Sequence, residues 1–593
     1  MNIFRLIKKV SWLTDKVGEV MQLLNKLKKK LYKQFGKDIS VTEKDNIITL
    51  SGSLNSWDDV VSAGRICANR KSAKYVVNNI TCSDIKSVPM KIPSLKDDVL
   101  HGKNFDVVVI GAGIVGCAIA RELSKWNLSI LLVEKEHDVA LHASSRNDGM
   151  IHPGIDLKIG QVKQKYNALG NKMYDEICRE LDVPFKRTGQ YLGFTRKFMK
   201  YILPLAPRYW RRMDVPCSYV NKEELLKREP NLNKNISCGL FFKSAGIVCP
   251  YGLTIAYAEN AVDNGVKVSL DTAVLDMKVE DGVIKSIVTN RGTVYPKIAI
   301  NAAGVFSEDI AKMAKDHFFS IHPRKGTNSI LDKKVAFQVN TIASLMGTVD
   351  TQKTKSKGGG VVSTIDGNLL VGPDAIETYN KEDFSTNAES IKRVFERQKE
   401  ISPLLSISDI ITYFTGVRAA TYEEDFIIKK GHFTKNIVHA AGIQSPGLTA
   451  APAIAVDVAE MTVDLLSKNN NIEKNKSFNP YRKRIVRTSE LDIDERNKLI
   501  NDNPDYGVIV CRCEEISKGE IIESLRRSVP CDTLDGVKRR VRPGMGRCQG
   551  GFCSPLVAQI IAEEKEIELK DVLKNGEESN IVYCSTKEAI ENE

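Results

Sequence analysis

The chain has 593 residues, 42% of them hydrophobic, with 86 Lys and Arg against 74 Asp and Glu. That length exceeds one ordinary domain and that apolar share fills packed cores, so several globular domains are expected and a disordered or fibrous chain is excluded. Part of the formal net charge of +12 sits in "LIKK" and "KLKKKLYK", where it suits an anionic lipid surface, an acidic partner or a plain solvated helix.

The 13 cysteines are mostly isolated in apolar segments such as "DEICREL" and "AGIVCP". That pattern fits a reducing compartment better than a disulfide framework. No stretch reaches the roughly 18 apolar residues of a membrane span, and the first residues lack the apolar core of a secretory leader. The expected location is cytoplasmic, with peripheral contact at the inner face of the cell membrane as its extension. "FRLIKKVSWLTDKVGEVMQLLNKL" has helical apolar spacing, so residues 1–30 read as an amphipathic basic helix that docks on the protein or lies on a membrane.

Residues 31–87 follow. Alternation in "IITLSGSL" predicts a strand, "SWDDVVSAGRICANR" a helix and "AKYVVNNIT" another strand, together a small α+β domain. The "LSGSL" turn and closing "VVNNI" resemble a BON domain, a family linked to lipid or partner contacts. "SVPMKIPSLKDDVLHGK" is polar with two prolines, so residues 88–104 read as a linker. A long α/β region over 105–479, a charged linker over 480–505, a cysteine-bearing domain over 506–560 and a tail over 561–593 complete the chain.

"FDVVVIGAGIVGCAIARELSKWNLSILLVEKE" opens the long region. It reads as a buried strand, a glycine turn, a helix and a second strand ending at Glu134. Gly111 permits the tight turn, Gly113 lets backbone approach a pyrophosphate, and Gly116 lets the helix pack on the sheet. Glu134 can accept hydrogen bonds from ribose hydroxyls. The glycine pattern alone is weak; with both strands, the helix and the acid in register it specifies a dinucleotide site. The loop "HASSRNDGMIHPGI" then supplies small polar and glycine residues suited to a flavin.

From here the chain resembles the FAD-dependent oxidoreductases of the D-amino-acid oxidase and glycerol-3-phosphate dehydrogenase superfamily. The motifs are "VPFKRTGQYLGF", "VKVSLDTAVLDM", "AINAAGVFSEDIAKMA", "TIDGNLLVGPDA", "TGVRAATYEEDFII" and "VHAAGIQSPGLTAAPAIA". The resemblance implies a Rossmann-type FAD-binding domain with an interleaved antiparallel-sheet substrate domain. Its expected FAD contacts are Gly111, Gly113, Gly116, Glu134, Lys135, Ser145, Arg146, Asn147, Gly149, Val274, Gly304, Gly442, Gly447, Leu448 and Thr449. It also makes Arg418, in "GVRAA", the anchor for an anionic substrate group, which suits a bidentate guanidinium. The alternative is a structural arginine paired with Glu423 or Glu424. Arg324 and Lys325 either add positive charge for a phosphate or form a solvated turn. His152 is a candidate base or flavin neighbour, or a structural histidine. Tyr251, in "VCPYGLT", is expected to line the substrate pocket.

Near the end, Cys511 and Cys513 form a C-x-C pair, and Cys548 and Cys553 a C-x4-C pair after 34 intervening residues. This departs from common zinc spacing. The glycines of "GMGRCQGGFC" let backbone N–H groups approach sulfur. Through both pairs and this loop the segment resembles the bacterioferritin-associated-ferredoxin type [2Fe–2S] domain, with these four cysteines as ligands and Cys531 outside the set. Zinc and spare thiols stay open on spacing alone.

A flavin domain with such a cluster resembles the large-subunit family of the anaerobic glycerol-3-phosphate dehydrogenases. The resemblance implies oxidation of sn-glycerol 3-phosphate by hydride transfer to FAD, with electrons leaving through the [2Fe–2S] cluster to a partner subunit or quinone. L-2-hydroxyacids, especially 2-hydroxyglutarate, and amines or amino acids are the rival substrates. A non-catalytic electron-transfer subunit is the rival class. Nucleic acid is not expected as a partner.

Overall fold

A computed structural model describes residues 20–68, 75–86, 88–346, 359–468, 471–584 and 587. The first 19 residues of the expected amphipathic helix lie outside these; residues 20–35 are helical, with Leu27 and Leu31 buried. The helix packs on a sheet of Ser40–Lys44, Ile47–Leu54 and Tyr75–Cys82, in that order. The first two strands run antiparallel and the last two parallel. The crossover between the parallel strands contains the helix Trp57–Cys67, whose N-terminus is capped by Ser56 Oγ accepting from Asp59 N at 3.2 Å. The strand Ser40–Lys44 is not visible in the sequence pattern, because "SVTEK" offers only Val41 to the core.

Two large sheets organise the central region, beside a small one of Met150–Ile151, Gly246–Val248 and Phe185–Lys186. In the first, Lys267–Ser269, Ile130–Val133, Lys103–Ile110, Gly292–Asn301 and Ile437–Ala441 run parallel. Val283–Thr289 and Val274–Glu280 extend it with antiparallel pairing. The parallel strands are near-continuous apolar runs because helices Ile114–Leu123, Pro250–Asp263 and Gly447–Ser467 share one core with them. Ile110, Val133 and Asn301 stand in register at the ends of their strands, so the following loops share one edge. In such sheets the ligand crevice lies outside the strands' carboxyl ends.

The second sheet has nine strands. Its pairings are antiparallel except that Ile342–Met346 runs parallel to Gln190–Phe194. Its longest ladder sets Ile321–Leu331 against Ile410–Thr421, with Arg324 directly opposite Arg418.

The C-terminal domain holds a short hairpin, Ile509–Cys511 with Ile516–Ser517, and helices Lys518–Leu525, Leu534–Val541 and Ser554–Lys565 around their own core. Two boundaries differ from expectation. The 480–505 stretch is not a bare linker: Asp492 and Glu495 form a capping box that starts a helix, Ile493–Asp502. The tail is tied down. Val572 is buried in the domain core, and Leu534 N donates to Leu573 O at 3.1 Å. No helix among the described residues is long and apolar enough to cross a membrane.

Candidate functional site

The glycine turn follows the strand Lys103–Ile110, and Gly113 is the N-cap of the helix Ile114–Leu123. A Cβ on Gly116 would lie 1.8 Å from Gly111 O, so helix and turn touch through bare backbone. Glu134 closes the second strand. Its Oε2 accepts from Ala112 N at 2.7 Å and its Oε1 from Glu136 N at 3.1 Å. Burial holds this carboxyl above the usual range. Ser144 Oγ accepts from Ile114 N at 2.8 Å, so a hydroxyl stands at the helix N-terminus where an anion is favoured.

The flavin-suited loop folds on itself. Ser145 N donates to His142 O at 3.1 Å, and Asn147 Nδ2 to Ala143 O and Ser144 O at 3.0 Å. Gly149 N donates to Asn147 Oδ1 at 3.0 Å. The Arg146 guanidinium lies 4.0 Å from the Phe384 ring centre. Thr449 Oγ1 accepts from His152 N at 2.8 Å, which fastens this loop to the start of the helix Gly447–Ser467. The loop carrying Gly442 links that helix to the strand Ile437–Ala441. Val274 is buried at the start of its strand, and Gly304 follows Gly292–Asn301. Lys135 is ion-paired with Glu136 and Glu382.

On the substrate side the cations sort into paired and unpaired. Arg324 bonds Glu377 at 3.0 Å and pairs with Glu424. Lys325 pairs with Asp383 at 2.7 Å and donates to Ser385 Oγ at 2.9 Å. Neither is a solvated turn. Arg418 has no carboxylate within ion-pair distance among the described residues; it donates to Asp374 O at 3.2 Å and Lys325 O at 3.3 Å. The alternative of a structural pair with Glu423 or Glu424 is overturned. Glu424 serves Arg324, and Glu423 accepts from Val76 N at 2.6 Å. Burial, then the neighbouring Arg324, pushes the Arg418 guanidinium below its ordinary value.

His152 Nδ1 accepts from Gly154 N at 2.9 Å, so a neutral ring carries its proton on Nε2. Asp148, which sequence reasoning passed over between Asn147 and Gly149, feels both His152 and Arg418. Burial raises its carboxyl, and the Met150 amide, then those two groups, pull it back. Tyr251 lies elsewhere. It lines a narrow cleft with Cys249, Asp366, Arg487 and Arg542, and its hydroxyl faces Met545 Sδ at 4.0 Å. The expectation that it joins the Arg418 group is corrected: the residues it meets belong to the junction with the cysteine domain.

There, Cys513 Sγ lies 3.6 Å from Cys548 Sγ. The Cys553 thiol hydrogen-bonds Cys511 and, against burial and with the Gly544 and Glu514 amides, holds it down at about 5. Burial raises Cys548, but the Gly550 and Phe552 amides and Cys513 outweigh it and leave it lowered. A Cβ on Gly546 would lie 2.7 Å from Cys513 Sγ, so the loop packs closely on that sulfur. Convergent thiols backed by amide donors fit an iron–sulfur cluster. Cys531 stands apart, buried with Sγ 3.6 Å from Ser524 O.

Residues 106–461 match the family described as FAD dependent oxidoreductase, and residues 509–563 the BFD-like [2Fe-2S] binding domain. The chain belongs to the FAD dependent oxidoreductase family. It is a glycerol-3-phosphate dehydrogenase-like flavoprotein enzyme with FAD and [2Fe–2S] as its cofactors. A glycerol 3-phosphate dehydrogenase of Caloramator mitchellensis is 42% identical over 491 residues, covering 82% of this chain and all of that one. Anaerobic glycerol-3-phosphate dehydrogenase subunit A1 of Haloferax volcanii is 23% identical, covering 78% and 83%. Among solved structures, the dithionite-reduced L-alpha-glycerophosphate oxidase of Mycoplasma pneumoniae with FAD bound aligns with a TM-score of 0.59 at 29% identity, covering 64% of this chain and 98% of that one. The glycine turn, the helix N-terminus and the strand-ending carboxylate fit FAD, and the four thiols fit the cluster.

Proposed function

We propose that the chain oxidises sn-glycerol 3-phosphate to dihydroxyacetone phosphate and exports the electrons to a partner subunit or quinone. The observation that carries this is Arg418, a guanidinium with no carboxylate within ion-pair distance among the described residues, in a chain 42% identical to a glycerol 3-phosphate dehydrogenase. Bound FAD supplies a hydride acceptor and the [2Fe–2S] cluster a one-electron carrier. Arg418 grips the phosphate and sets the carbinol carbon's position. Asp148, when ionised, takes the hydroxyl proton, and His152 lies within its electrostatic reach. Cys511, Cys513, Cys548 and Cys553 hold the cluster. The N-terminal BON-like domain is a module added to this core.

Anaerobic addition of glycerol 3-phosphate should bleach the flavin of the purified chain, and L-2-hydroxyglutarate should not; the reverse result would transfer the assignment to a hydroxyacid dehydrogenase. Arg418→Lys should lower kcat/KM roughly ten- to a hundred-fold, because a lysine loses the bidentate fork. FAD content should stay constant.

A further inference from the structure

Arg65 of the N-terminal domain reaches the substrate side. Arg65, in the last turn of the helix Trp57–Cys67, forms an ion pair with Glu377, whose side chain is 8% exposed. Glu377 Oε1 also accepts from Arg324 Nε at 3.0 Å, and Glu377 Oε2 bonds His322 Nδ1 at 2.8 Å. The other nitrogen of His322 lies 3.2 Å from Thr421 O. Both ring nitrogens therefore lie beside oxygens. Arg324 continues to Glu424, which accepts from Gln444 Nε2 at 2.7 Å. Arg418 stands across the ladder from Arg324, and directly opposed residues share a face of the sheet.

The charges can be followed along this chain of contacts. Arg65, His322 and Arg324 meet two carboxylates, Glu377 and Glu424. Asp374, the nearby third acid, is paired with Arg393. Arg65 and Arg324 balance these two carboxylates, which leaves the Arg418 charge for an anionic substrate group. Without Arg65 the two acids exceed the arginines by one, and Glu377 draws more heavily on Arg324.

We propose that Arg65 is a positioning residue for a dianionic phosphate substrate, acting through Glu377 and Arg324 so that the N-terminal domain completes the charge of the substrate site. This rests on Arg418 being the anion anchor. Docking of the domain has other supports. Val76 N donates to Glu423 at 2.6 Å, Asn78 Nδ2 to Tyr422 Oη at 2.8 Å and Asn78 N to Ser320 Oγ at 3.1 Å, while the Tyr422 ring lies in the N-terminal core. The role assigned to Arg65 is therefore charge.

The test uses the full-length holoenzyme with an artificial electron acceptor. Arg65→Gln keeps a donor beside Glu377 without the charge. It should raise the KM for glycerol 3-phosphate and the inhibition constant of inorganic phosphate roughly three- to tenfold, with kcat changed less than about twofold. Arg65→Lys should restore both. Unchanged constants in Arg65→Gln, a fall in kcat alone, or failure of Lys to rescue would overturn the proposal. Loss of FAD or folding in Arg65→Gln would do the same, by making the residue structural. Arg418→Lys is measured in parallel. If it leaves phosphate binding intact, the anchor reading has failed; if it weakens binding and Arg65→Gln does not, only the Arg65 assignment has failed.

Discussion

Gly116 and Arg418 mark the two kinds of residue at this site. Gly116 is dictated locally, since its missing Cβ would sit 1.8 Å from Gly111 O. No rotamer or small shift of a neighbour relieves contact between backbone atoms. Gly116→Ala should therefore displace the turn and empty the folded protein of FAD, while the [2Fe–2S] domain, with its own core, keeps its iron. Flavin content and iron content of the purified variant check this; full FAD retention would show that the turn tolerates the methyl group. Such positions are legible in sequence because turn, helix packing and thiolate chemistry each demand one residue type at a fixed spacing. Arg418 was readable as a cation but its freedom from a carboxylate was not. That freedom depends on Arg324 capturing both Glu377 and Glu424, and those acids lie 53 and 100 residues from Arg324 along the chain. Tyr251 was misplaced for the same reason, because its neighbours Met545 and Arg542 come from another domain.

At the scale of elements, the strand Tyr75–Cys82 shows what alternation can and cannot reveal. "AKYVVNNIT" predicts a strand, and the strand runs over Tyr75–Cys82 with Val76, Val77 and Ile80 buried. The pattern does not reveal that Val76 N, at the strand's outer edge, donates to Glu423 of the oxidoreductase region at 2.6 Å. Burial, the dominant cause, pushes the Glu423 carboxyl up to about 7, although the Val76 amide favours its charged form. The folded protein therefore binds this proton more tightly than the unfolded chain. Its stabilising contribution is complete below the ordinary glutamate range, near 4.3, and is lost as pH rises through about 7. Wild type should accordingly lose stability between pH 5 and pH 8 on the order of 2 kcal/mol from this group. Glu423→Gln keeps the acceptor for Val76 and removes the titration, so its melting temperature should fall less over that interval. Parallel pH dependence of melting in the two proteins would rule Glu423 out as the titrating group.

The whole molecule is held in one piece by arginines of the cysteine domain reaching buried acids of the oxidoreductase region. Asp138 receives Arg540 through two nitrogens at 2.8 and 3.0 Å and Arg539 at 3.1 Å. Glu259 receives Arg527 at 2.8 Å. Arg542 bonds Asp366 at 2.8 Å and Glu514, the residue after Cys513, at 3.0 Å. Through Arg542, the loop that follows Cys513 is tied to Asp366 on the oxidoreductase surface, beside the cleft that holds Tyr251. Sequence could not show this clasp, since "VKRRVR" reads equally well as a solvated basic turn. Arg540 and Asp138 have side chains only 2% exposed, so removing one partner leaves the other buried and under-compensated, at a cost of about 3 to 5 kcal/mol. Arg540→Met should thus loosen the cysteine domain without touching the Arg418 region. Amide exchange over residues 509–565 should accelerate, and flavin reduction by glycerol 3-phosphate should keep its wild-type rate. If electrons leave through the cluster, its reduction after the flavin's should slow, because the clasp fixes the separation between the two cofactors. Stopped-flow absorbance for the flavin and rapid-freeze paramagnetic resonance for the cluster separate these steps. Faster exchange with an unchanged cluster-reduction rate would show that electron delivery does not depend on this docking. Unchanged exchange as well would remove Arg540 from the clasp.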